Sequence, residues 1–208
     1  MNISKKYSNF FFIFLSLFIL SGNAKAQTSK FEVPVLKPHK VLSLYDVDYS
    51  DIKNYIYKKE KDRKVDVLVN YLVKKYKLNN PYTKEIVYTL YNETEKTKID
   101  PLIFLSIIEV ESSFNQFAQS HMGAVGLFQV MPQYHQKKIS SIQKENLDLW
   151  SIKGNIKVGV KILQEYMLLS QGNVEEALQR YNGSLNDVTK TYSKKVLSKL
   201  TQFKSLLS

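Results

Sequence analysis

Cysteine is missing from all 208 residues. That excludes disulfides and a lipid-modified N-terminal cysteine, so stability has to come from packing alone. Long apolar runs are missing too: the longest, Phe10 to Leu20, falls short of the roughly 20 residues that span a bilayer. With Lys5 and Lys6 before it and Ala24-Lys25-Ala26 after it, this run has the three parts of a secretory signal. It predicts cleavage after Ala26 and an exported, periplasmic protein that is not a lipoprotein. Metal-ligand patterns are also lacking. His39, His121 and His135 have neither the i, i+4 pairing nor the cysteine partners of a zinc site, and no cofactor is expected. Acidic residues are scarce, 19 against 30 basic ones. Loss of residues 1–26 removes three lysines and leaves a net charge of +8 over 182 residues. That length suffices for one domain with its own core. The charge suits a polyanionic partner such as a cell-wall polymer. A nucleic-acid partner is not expected, because the lysines are scattered and no stacking pattern accompanies them.

Strand patterns of any length are absent, so the expected fold class is all-α. Residues 27–64 carry Pro34, Pro38 and the charged run Lys58 to Lys64. They read as an extended or partly helical arm, with one helix from Ser50 to about Lys59. A helical domain is expected over residues 65–208. Apolar residues recur at helical spacing from Val65 to Leu78 and from Tyr82 to about Thr97. Asp100 and Pro101 open a third helix reaching about Asn115. A loop from Ser120 to Pro132 is punctuated by Gly123 and Gly126. Helices follow over Asn155 to Leu169, over Val174 to Tyr181 with Asn182-Gly183 as its cap, and over Val188 to Leu200.

The third helix holds the most informative residue. At roughly 100° per residue, Phe104, Ile107, Ile108 and Phe114 lie within about 60° of Glu111. A carboxyl among hydrocarbon resists ionising, and one still protonated near neutral pH can act as a general acid. Glu109 falls on the other side, near Ser106 and Ser113, where polar surroundings are expected. From this helix alone, a catalytic Glu111 and a Glu111 paired with a buried cation are equally consistent.

Three motifs then stand in order: Glu111-Ser-Ser-Phe114, Gly126-Leu-Phe-Gln129 and Tyr181-Asn182. Together they resemble the soluble lytic transglycosylase family, whose fold is lysozyme-like and shared with goose-type lysozymes. The resemblance runs from about Ile99 to Val196, and more loosely back to Val65. Phe128 stands where a methionine is usual, and Arg180 where a small residue is usual. The resemblance implies a peptidoglycan lytic transglycosylase that cleaves between N-acetylmuramic acid and N-acetylglucosamine and forms 1,6-anhydro ends. Glu111 is then acid and later base, and Tyr181 hydrogen-bonds at the reacting centre. Substrate positions fall at Phe128 and Gln129, at Ser120, which is equally a loop-capping serine, and at Asn182, which also suits a turn. Tyr134 and Trp150 are aromatic candidates for stacking on sugar faces. Between Glu111 and Tyr181 no carboxylate lies in a motif, which favours a one-carboxylate site over hydrolysis by a pair.

Two rival readings remain open at this level. One is a goose-lysozyme-type hydrolase using the same Glu111. The other is a non-catalytic protein docking peptidoglycan for an envelope, divisome or secretion assembly. Glycan strands are the expected partner, and a monomer the expected state.

Overall fold

The computed structural model describes residues 49–208. The expected signal segment 1–26 and the expected arm up to residue 48 lie outside the described residues. Seven α-helices make up the described chain: α1 Tyr49–Tyr76, α2 Asn80–Thr94, α3 Pro101–Ser112, α4 Gln136–Gln143, α5 Ile152–Leu169, α6 Val174–Tyr181 and α7 Thr191–Leu207. A 3-10 turn, Pro132–Tyr134, precedes α4. The only extended pairing among the described residues is a pair of isolated bridges, Gln119 with Val125 and Val125 with Val130.

Most expected elements form, with shifted ends. Residues 50–59 do not form a separate helix, because α1 runs unbroken through the charged stretch and across residue 65. No proline or glycine interrupts it, and Lys64 pairs with Glu60 one turn away at 2.7 Å. Caps fix the helix starts: Asn79 accepts from the Tyr82 amide, Asp100 from Leu102, Ser151 from Gly154 and Asn173 from Glu176. The last helix reaches Leu207 rather than Leu200, because Phe203 is fully buried and Leu206 and Leu207 pack on the core. The short α4 has one buried residue, Ile142, too little periodicity to read from sequence.

The central element is α3, buried at every position from Leu102 to Glu109. A helix apolar on all sides needs neighbours on all sides. Here α7 and α2 pack on it, α1 crosses both of those, and α5 covers α2 while carrying α4 and α6. Each fully buried Leu, Ile or Phe contributes about 1.5–3 kcal/mol, so α3 is the natural seed of the core. It ends at Ser112 rather than Asn115, because Ser113 (φ 50°) and Phe114 (φ 66°) turn into the left-handed region. No glycine makes that turn easy. What holds it is the burial of Phe114, whose ring centroid lies 5.3 Å from that of Tyr76. The Tyr82 hydroxyl adds a hydrogen bond of 2.7 Å to the Phe114 carbonyl.

Candidate active site

Glu111 sits in the last turn of α3, and its Oε1 accepts a 2.6 Å hydrogen bond from the Tyr192 hydroxyl at the start of α7. No hydrogen bond to its Oε2 forms among the described residues. Burial raises the proton affinity of the carboxyl, outweighing the Tyr192 hydrogen bond and the charge of Lys195, which act the other way. No carboxylate is among these influences. The last carbonyls of α3 also carry partial negative charge, which further disfavours an anion there.

Two tyrosines flank it. Tyr181, at the end of α6, donates to the Phe128 carbonyl at 2.7 Å and meets Tyr166 edge-on at 6.4 Å. Burial and then the nearby Glu111 charge push both Tyr181 and Tyr192 hydroxyls well above the usual phenol range. Both therefore stay protonated, as donors. The direct bond to Glu111 comes from Tyr192, and Tyr181 instead braces the loop carrying Phe128. Sequence reading missed Tyr192: it lies in no recognised motif and 81 residues from Glu111. Its one local signal is helical spacing with Val196, Leu200 and Phe203, with which it shares the buried face of α7.

The Gly126-Leu-Phe-Gln129 loop is held from beneath by Asn155 of α5. The Asn155 side chain accepts from the Phe128 amide at 2.8 Å and donates to the Val125 and Leu149 carbonyls at 3.0 Å each. Gly126 has to be glycine here, since a Cβ would lie 2.1 Å from the Asn155 amide nitrogen. The Phe128 side chain is fully buried rather than open to a ligand, with its ring 2.3 Å from where a Gly159 Cβ would stand. Its contribution to the site is therefore its backbone carbonyl. The Gln129 amide donates to the Ala118 and Gly126 carbonyls at 3.0 and 3.1 Å, closing the loop on itself.

Ser120 accepts from the Ala124 amide at 3.0 Å, the loop-capping role. Asn182 forms the cap of α6 and donates to the Ser184 hydroxyl at 3.2 Å. Arg180 pairs with Glu176 at 2.7 Å. Tyr134 is 73% exposed and Trp150 41%, which leaves both rings reachable by a ligand.

Glu109 finds polar partners, but inside the protein: its side chain is 1% exposed. Lys75 at 2.8 Å, Lys199 at 2.9 Å and the Tyr76 hydroxyl at 2.6 Å all converge on Oε1. Burial raises the Glu109 proton affinity, yet these three hydrogen bonds outweigh it and hold the group below the usual carboxylate range. The same interactions push Tyr76 up to about 12, burial leading and Glu109 next.

A family model described as the transglycosylase SLT domain matches residues 89–200. Among solved structures, an inactive mutant of the lytic transglycosylase Slt from Pseudomonas aeruginosa is 22% identical, with a TM-score of 0.50 over 58% of this chain and 24% of that one. The 70 kDa soluble lytic transglycosylase from Escherichia coli is 18% identical over 58% of this chain and 24% of that chain, with a TM-score of 0.52. A complex of the 70-kDa soluble lytic transglycosylase with bulgecin A is 18% identical over 73% of this chain and 30% of that one, TM-score 0.52. This chain thus spans about a quarter of the length of the first two, and the likeness shows a shared all-α, lysozyme-like fold.

Proposed function

The chain belongs to the transglycosylase SLT domain family, and from that premise we propose that it is a peptidoglycan lytic transglycosylase with Glu111 as its single acid and base. The observation that carries this reading is the Glu111 carboxyl, whose proton affinity burial raises, anchored at Oε1 by Tyr192 with Oε2 unbonded among the described residues.

The chemistry follows from that asymmetry. Tyr192 occupies Oε1, so the proton delivered to the glycosidic oxygen comes from Oε2. The bond from that oxygen to the anomeric carbon of N-acetylmuramic acid breaks, leaving positive charge on the sugar. Glu111, now a carboxylate, takes the proton of the same sugar's 6-hydroxyl, and that oxygen closes on the anomeric carbon as a 1,6-anhydro ring. No water is consumed, so no second carboxylate is required. The Tyr192 hydroxyl stabilises the transient carboxylate, and Tyr181 steadies the Phe128 carbonyl beside it. The sugar's acetamido group is proposed to meet the Phe128–Gln129 edge, with Ser120 and Asn182 shaping that loop and turn.

Mass spectrometry of sacculi digested by the protein tests the reading. Anhydro-muropeptides are expected, and reducing ends alone would make it a hydrolase of goose-lysozyme type. Retained biological activity in Glu111→Gln would favour the docking role instead. We further propose export to the periplasm with removal of residues 1–26. The processed chain is then expected to begin at Gln27 by N-terminal sequencing.

A further inference from the structure

The first turns of α1 stand apart from the rest of the domain. Residues 49–60 are all exposed, whereas burial begins in earnest at Val65. Tyr49 (79% exposed), Ile52 (44%), Tyr55 (61%) and Ile56 (59%) fall on one side of the helix, within roughly a 120° arc at 100° per residue. Lys59 lies within that arc and sits over the Tyr55 ring at 5.6 Å, while Glu60 and Lys53 border one edge and Asp51 and Lys58 the other. From Tyr49 to Glu60 the segment holds three basic residues and two acidic ones. No helix among the described residues is long and apolar enough to cross a membrane.

We propose that this half of α1 docks the protein on an anionic lipid surface, lying along it with Tyr49, Ile52, Tyr55 and Ile56 among the headgroups. Tyrosine favours that interface, and lysines at the border of an apolar stripe reach anionic headgroups while their stems stay in contact with hydrocarbon. A second copy of the same segment is the poorer occupant, because each brings a surplus of positive charge. A soluble polyanion would engage the lysines and leave four large apolar side chains in water. The opposite flank of the segment lines a cavity of about 500 Å³ with Tyr57, Glu60, Lys61 and Lys64. There Lys64 pairs with Glu60 and Lys204 with Asp100, while Lys61 donates to the Asn92 side-chain carbonyl.

The test is co-sedimentation of the chain from residue 27 to residue 208 with vesicles of phosphatidylcholine, with and without about one-third phosphatidylglycerol. Binding to the anionic vesicles is expected, with little to the neutral ones. Replacing Tyr49, Ile52, Tyr55 and Ile56 by glutamine, a good helix former, is expected to weaken it about tenfold or more. Glu111→Gln binds as the parent does, which separates docking from the catalytic reading. Unchanged vesicle binding in the four-residue variant overturns the proposal. So does equally tight binding to polyglutamate, or a dimer in light scattering that the variant abolishes.

Discussion

On α3, Glu109 and Glu111 stand two residues apart, and their surroundings drive their proton affinities in opposite directions. Burial raises the proton affinity of Glu111. Glu109 is kept charged by Lys75, Tyr76 and Lys199. Replacing Glu111 by glutamine is expected to lower the rate of anhydro-muropeptide formation by about 10³-fold, the scale of a lost general acid. Because the folded-state affinity of Glu111 is raised, ionising it opposes folding once the pH exceeds the unfolded carboxyl value. Glu111→Gln is therefore expected to melt higher than the parent at pH 7, with the gap closing below about pH 4. Glu109 has the reverse sign: its depressed affinity stabilises the fold above the unfolded value and is lost as the pH falls through the folded one. Glu109→Gln should cost about 1–3 kcal/mol at pH 7, since the part-buried Lys75 and Lys199 lose their shared counter-charge, and less in acid, as chemical denaturation at both pH values would show. Tyr192→Phe removes a donor that lowers the Glu111 proton affinity, so the alkaline limb of the pH–rate profile should move upward while the rate falls about tenfold. Glu111 was legible because its apolar neighbours are local in sequence. Its partner Tyr192 and the lysines around Glu109 were not, because tertiary packing alone brings them near.

At the scale of elements, the loop from Gly126 to Gln129 and helix α5 behave as one piece. Asn155 supplies three hydrogen bonds to carbonyls and an amide that have little access to water. Asn155→Ala should lose about 2 kcal/mol or more through those stranded groups, and activity should fall with it as the Phe128 carbonyl loosens. The Phe128 ring lies on Gly159, so Gly159→Ala overfills the contact. Its cost, about 1–3 kcal/mol, should shrink in a Phe128→Leu background, a coupling that a double-mutant melting cycle reads directly. Phe128 was legible as a departure from the methionine usual at that position, but its consequence was not. The resemblance placed Phe128 among the substrate positions, whereas its ring is buried against a glycine on a neighbouring helix. The starts after Asp100 and Asn173 were legible from their caps, whereas the Asn79 and Ser151 caps start α2 at Asn80 and α5 at Ile152, ahead of the expected Tyr82 and Asn155. The end of α3 at Ser112 was not legible, because the stop comes from the burial of Phe114 rather than from any local breaker.

Across the whole molecule, residues 49–208 organise around α3, and α1 is two things in sequence. Its first turns are exposed, while Val65, Leu68, Val69 and Leu72 belong to the core. A chain beginning at Lys61 is expected to melt within a few degrees of one beginning at Tyr49, and a chain beginning at Lys77 is expected not to fold, by circular dichroism. The all-α class and the helix order were legible because helical spacing is local and strong. The continuity of α1 was hidden by a charge-rich stretch that resembles a linker and is in fact made of good helix formers. The left-handed pair Ser113 and Phe114 has a consequence for durability. The turn that aims the end of α3 is clamped by Tyr76 of α1 and Tyr82 of α2, so the Glu111 carboxyl proposed as acid and base is wired into the same core that keeps the chain folded. Loss of activity on heating and loss of structure should then coincide, with no window in which the protein is intact but inert.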